Sequence, residues 1–157
     1  QKKYSTHNIC LLESPSTFTV SNFPDNSIFC LVDDFVGSGD TAIKAIQHYL
    51  DKEVPVTNIA VLGLVTMQQG IDNLKQHNIQ IFSGIIKQKA ISDRTDGNRE
   101  SYYELMKAIE AKIKVREDYM FGYSHSESLV KMMRTPNNTF PIYWLKNSKN
   151  KNPPFPR

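Results

Sequence analysis

Two adjacent carboxylates, Asp33 and Asp34, stand at the end of an apolar run and directly before a Gly/Ser loop, in the stretch IFCLVDDFVGSGDT (28–41). Paired acids at one point of a backbone can meet the hydroxyls of a sugar or a hydrated magnesium ion, because hard oxygen ligands suit that cation. Gly37 and Gly39 let the backbone approach a ligand closely. Thr41 opens a helical pattern, and the first N–H groups and positive dipole end of a helix attract an anion. The segment therefore pairs an anion cradle, Val36, Gly37, Ser38, Gly39, Asp40 and Thr41, with two acids just before it. A phosphate in the loop and hydroxyls against the acids would belong to one ligand, a ribose 5-phosphate or a nucleotide. An ordinary strand end explains each residue singly but not their order. Asp33 and Asp34 are the candidate catalytic pair and, through water, the candidate magnesium-facing pair. Asp40 suits the helix dipole but its charge repels a phosphate.

A second edge is offered by TPNNT (135–139). Pro136 stiffens the turn, and the Asn137 and Asn138 amides both donate and accept and tolerate unusual backbone angles. With Thr135 and Thr139 they would meet a base or phosphate, or serve as a structural turn that pins the last strand; the two readings stand level. His125, in GYSHSE, is the candidate general acid or base beside this edge.

The elements that must position these groups alternate in type. Residues 28–32, 58–66 and 79–87 are apolar runs suited to strands buried on both faces. Residues 41–52 place Ile43, Ile46 and Leu50 on one helical stripe, and 68–78 do so with Ile71 and Leu74, ending at Asn78. This order predicts an α/β fold with a Rossmann-like parallel sheet and helices on both faces. Residues 100–114 predict a later helix with Leu105, Ile109 and Ile113 inward, packed outside the sheet. Residues 128–133 predict one more strand, and 7–13 a short one. Other phosphate folds are excluded by motif, since GxxxxGK[ST] and GxGxxG are both missing.

The segment 145–157 carries Lys146, Lys149, Lys151 and Arg157 and no acid, against a formal net charge of +3 for the whole chain. It is expected as a basic, solvated, extended end after a domain over 1–144. The remainder is slightly acidic, which argues against a dedicated nucleic-acid binder. Cys10 and Cys30 lie in apolar surroundings and read as buried free thiols of a cytoplasmic protein. No run has the length of a membrane span. The chain begins at Gln1, so a truncated N-terminal part is expected.

CLVDDFVGSGDT resembles the PRPP-binding motif of type I phosphoribosyltransferases, and the element order over 28–87 is similar to that family's core. The resemblance implies that Asp33 and Asp34 contact ribose hydroxyls, that Val36 to Thr41 hold the 5′-phosphate, and that Mg2+ accompanies the pyrophosphate. GYSHSESLVKMMRTPNNTFPIYW, with the FPR that follows later, resembles the phosphoribosyltransferase-like domain of bacterial conflict systems. That implies a ribose-phosphate or nucleotide ligand and a protein partner of a defence system. A pyrophosphate loop at 11–17 and a hood upstream of Gln1 complete the expectation. Three functions follow: a phosphoribosyl-transferring enzyme, a non-catalytic nucleotide-sensing module, and a protein-interaction domain.

Overall fold

The computed structural model describes residues 3–4, 9–10 and 27–157. Strands β1 (Lys3–Tyr4) and β2 (Ile9–Cys10) pair antiparallel. The remainder is built on β3 (Phe29–Val36), α1 (Asp40–Leu50), β4 (Ile59–Met67), α2 (Gln68–Gln76), β5 (Gln80–Lys87) and α3 (Arg99–Lys112). Strands β3, β4 and β5 form a three-stranded parallel sheet in chain order. The predicted pyrophosphate loop at 11–17 lies outside the described residues.

Stepping one strand at a time in the same direction with right-handed crossovers puts both connecting helices on one side. Accordingly α1 and α2 touch each other. Ala42, Ile46 and Leu74 pack with Ile59, Val61 and Ile79, against the partly buried Phe29, Leu31 and Ile81. The expectation of helices on both faces is therefore corrected for the described residues: the order never reverses, so one face carries both helices. On the other face Val32 is 73% exposed, Leu64 59% and Phe82 50%. The strands are thus not buried on both sides, and Cys30, expected buried, is exposed on this face.

The pleat changes phase near the strand ends. Leu31 belongs to the cluster under the helices, yet Phe35, of the same parity, packs with Val65, Met67, Val130 and Met132. Val36 returns to the helix side, where it contacts the space over Gly63, the ladder partner of Asp33. Adjacent strand side chains ordinarily point to opposite faces. Here the shift falls between Asp33 and Val36, inside a strand that runs four residues past the expected end at Val32.

After β5 the chain leaves the sheet. Helix α3 packs outside it, as expected, but turns Tyr103, Met106, Glu110 and Ile113 inward while Leu105 is 58% exposed. The cluster of Ile91, Phe121 and Phe140 receives it, with Tyr103 stacked on Phe121 at 4.2 Å between ring centroids. Residues 128–133 form no strand; a single bridge joins Ser128 to Thr139. Three-residue 3-10 turns occupy Tyr123–His125 and Pro141–Tyr143. The basic segment 145–157, expected as a solvated end, folds back. The Phe155 N–H donates to the Tyr143 carbonyl (2.8 Å), the Phe155 carbonyl accepts from Thr135 Oγ1 (3.1 Å), and Pro153 is buried. Among the described residues no helix is long and apolar enough to cross a membrane.

Candidate functional site

A cleft of about 460 Å³ opens at the carboxyl end of β3, where open α/β sheets bind ligands. One wall is the predicted segment itself, with Asp33, Asp34 and Val36 through Thr41 all lining it. The other comes from far along the chain: Tyr123, Met132, Arg134, Thr135, Pro136, Asn137, Asn138 and Arg157. The two predicted edges thus share one cavity.

The phosphate-type loop is shaped by close packing. Gly39 caps α1 at φ 87°, a left-handed conformation that glycine adopts without strain. A side chain on Gly37 would overlap Asn138, and one on Gly70 would overlap the Gly37 carbonyl. Among the described residues the backbone N–H groups of Ser38, Gly39, Thr41 and Ala42 meet no acceptor. These open donors at a helix start are what an anion requires.

Asp40 lines the cleft too, but its carboxylate is taken up by hydrogen bonds. Its carboxylate accepts from Ser38 Oγ (2.8 Å), Asn73 Nδ2 (3.2 Å) and Ser124 Oγ (3.1 Å). The Asn73 amide also reaches the Ser38 carbonyl at 2.9 Å. The acid that seemed an objection to phosphate binding ties the loop to α2 and to the second wall.

Asp33 is raised above the usual carboxylate range, first by burial and then by the neighbouring Asp34, while the Phe35 N–H pulls the other way. The N–H of Phe35 donates to Asp33 Oδ1 at 3.4 Å. A hydroxyl donor or a cation placed against the two adjacent carboxylates would offset their charge. Among the described residues no group of three or more ligating side chains encloses a metal. Two adjacent carboxylates are hard oxygen donors of the kind that a hydrated Mg2+ takes one or two of.

The second wall is less regular. Phe121, Ser124, His125 and Glu127 all have positive φ, with Gly122 among them. This stretch is held from both sides. The N–H of Tyr123 donates to the Asn137 carbonyl at 2.9 Å, and Asn138 Nδ2 donates to the Tyr123 carbonyl at 3.2 Å. Buried Glu127 accepts from the N–H groups of Ile91 (2.9 Å) and Ser92 (2.7 Å). Buried Glu110 accepts from the N–H of Phe121 on both oxygens (3.0 and 2.9 Å), and burial pushes its carboxyl up to about 7.

Two predicted residues fall outside. Thr139 is buried and its hydroxyl donates to the Val130 carbonyl at 2.6 Å, so it pins the turn from within. His125 is exposed, lies against the Phe121 ring and does not line the cleft. Conversely Lys44, Arg134 and Arg157 line the cleft unforeseen. Lys44 had a signal, since position 44 lies one turn after Asp40 on the helix. The two arginines had none, because irregular backbone carries them inward.

Fold and site together define an α/β protein with a cleft at the carboxyl end of its parallel sheet. The chain belongs to the PRTase-CE family, whose sequence profile matches residues 6–157. No curated protein matches it.

Proposed function

We propose that this cleft binds PRPP or a related ribose 5-phosphate or nucleotide ligand, within a type I phosphoribosyltransferase-like fold. The 5′-phosphate sits on the N–H groups of the Val36–Thr41 loop. Asp33 and Asp34 take the ribose hydroxyls and share a hydrated Mg2+ with the ligand's phosphates. Asn137, whose side chain meets no partner among the described residues, faces the rest of the ligand, while the buried Thr135, which donates to the Phe155 carbonyl, holds the turn behind it. Phosphoribosyl transfer in a bacterial defence setting is the role this reading assigns. One observation carries it: open backbone donors and two adjacent acids line one cleft.

Calorimetry with PRPP, ribose 5-phosphate and nucleotides, with and without Mg2+, tests the reading. Binding in the micromolar-to-millimolar range is expected, lost in the Asp33→Asn, Asp34→Asn double variant while its melting transition is retained. No binding by any of these ligands overturns it. The second reading, a nucleotide sensor without chemistry, is favoured by one feature: among the described residues no histidine lines the cleft. Binding without pyrophosphate release from PRPP would select it.

A further inference from the structure

Strand β5 is the outer strand of the parallel sheet. One of its edges pairs with β4, and among the described residues no strand pairs with the other. Among the described residues the hydrogen bond it makes outside that ladder is local, from Ser83 Oγ to the Ile85 carbonyl at 3.0 Å. An edge strand offers its N–H and carbonyl groups to any chain that can pair with it, and natural sheets blunt such edges by shortening, covering or charging them. The middle of β5 has none of these devices. The strand is eight residues long, its one charge is Lys87 at the end, and Phe82, Ile85 and Ile86 are each about half exposed.

The sequence of β5, QIFSGIIK, has the same order of residue classes in both directions: polar, apolar, apolar, small, small, apolar, apolar, polar. Set antiparallel against a copy of itself about its centre, it opposes Ile81 to Ile86, Phe82 to Ile85, Ser83 to Gly84 and Gln80 to Lys87. Apolar cross-strand pairs stabilise such a ladder and like charges directly opposite weaken it. Here the two lysines stand at opposite ends, about 23 Å apart along the strands. A shift of one residue would set Ile81 against Lys87 or Gln80 against Ile86. Opposed residues must also point to the same face, whereas in an unbroken strand residues three apart point to opposite faces. The change of pleat phase removes that obstacle. Phe82 continues the ladder row of Val32 and Leu62 on the open face, and Ile85 continues the row of Phe35 and Val65, which also pack away from the helix cluster. Ile86 continues the row of Val36, which shares the helix-side cluster with Ile81.

We propose that β5 pairs antiparallel with β5 of a second copy of this chain, about a two-fold axis that passes between Ser83 and Gly84 perpendicular to the sheet. The three described parallel strands of each copy then join into one sheet of six, a usual size. A two-fold pair consumes both edges, so the assembly closes at a dimer. Main-chain bonds supply the affinity and the side-chain rows fix the register. The carboxyl ends of the two sheets point in opposite directions, so the clefts at the ends of the two β3 strands lie away from the junction, and pairing is measured independently of ligand binding.

Sedimentation velocity on the full 157-residue chain tests the pairing, over concentrations from about 1 to about 200 µM that suit a small interface. A monomer–dimer equilibrium is expected. Phe82→Lys alone and Ile85→Glu alone should each weaken it at least ~10-fold, since each sets a charge against an apolar residue of the partner at two places in the dimer. Mixed in equal amounts, the two variants should dimerise again. The introduced lysine then meets the introduced glutamate, and the other Phe82–Ile85 contact is the native one. Melting transitions establish that each variant is folded. Hydrogen exchange on the wild type needs no variant: β5 amides should gain protection as concentration rises, while β3 amides do not change. A wild type that stays monomeric throughout overturns the proposal, as does a dimer that both single variants leave intact. Failure of the mixture to recover overturns the register, and growth beyond a dimer overturns the closed two-fold pair.

Discussion

The two walls of the cleft are built on different principles. The first, β3 through the start of α1, is a strand, a tight loop and a helix held by a parallel ladder and an apolar layer. The second, residues 121–157, has almost no repeating structure. It is held by individual bonds: Ser126 Oγ to the Asn138 carbonyl (2.9 Å), Thr139 Oγ1 to Val130 (2.6 Å), and Asn150 Nδ2 to Ile142 (3.1 Å) and Leu145 (2.9 Å). A ladder spreads load over many equivalent bonds, whereas a knot of single bonds has members that cannot be replaced. The second wall should therefore be the easier one to break, and breaking it should remove the arginines before it disturbs the phosphate loop.

The largest effect is expected at Gly122. Its φ of 79° and ψ of 158° fall in a region that only glycine occupies readily, and a Cβ there would overlap the Asn138 backbone. Gly122→Ala should cost more than about 3 kcal/mol, read by denaturant unfolding. Gly97 is the matched control, with φ 75° and nothing within 4 Å of a Cβ. Gly97→Ala should cost about 1 kcal/mol. Equal costs would show that the second wall is no tighter than a surface loop.

The same contrast explains what the sequence made legible. The strand–helix alternation and the inward residues Ile46, Ile71 and Leu74 follow from local periodicity, and all three are buried. Which side the helices take depends on strand order, which periodicity does not carry, so Val32 and Leu64 read as buried from their apolarity alone. Among candidate site residues, Asp33, Asp34 and the glycine loop are contiguous, and their type and spacing suffice to bring them into one cleft. Thr135, Asn137 and Asn138 were visible as turn chemistry. Thr139 was read with them, yet a turn's last residue faces inward here because Val130 needs a donor. Arg157 reaches the cleft through Phe155 and Trp144, contacts between residues that no local pattern links.

Glu110 gives a pH test of the second wall. Its folded value of about 7 lies above the ordinary glutamate value of 4.5. A raised acid keeps its proton longer in the folded state, so stability falls as pH rises from about 4.5 to about 7 and levels off above that. The loss is at most about 3 kcal/mol by the linkage relation. Glu110→Gln, which can still accept from the Phe121 N–H, should flatten the profile of unfolding free energy across that window. A variant with the wild-type slope would place the titration elsewhere.

Asp40 is where the walls are joined, since it accepts from Asn73 on one side and Ser124 on the other. Asp40→Ala should cost about 2 kcal/mol, the scale of hydrogen bonds to a charged group. It should also weaken ribose 5-phosphate binding, although it removes a negative charge beside the phosphate. Tighter binding would mean that repulsion outweighs positioning, and the loop would not depend on its tie to the second wall.

The smallest effect is expected on the open face of the sheet, which neither wall uses. Val32 is 73% exposed and is followed directly by Asp33. Val32→Thr keeps the β-branched shape that suits a strand and changes little buried area. Its unfolding free energy should stay within about 0.5 kcal/mol of the wild type, with ribose 5-phosphate affinity unchanged. A substantially larger loss would mean that this face is covered in solution, and the first wall would then rest on a second apolar layer as well as on its ladder.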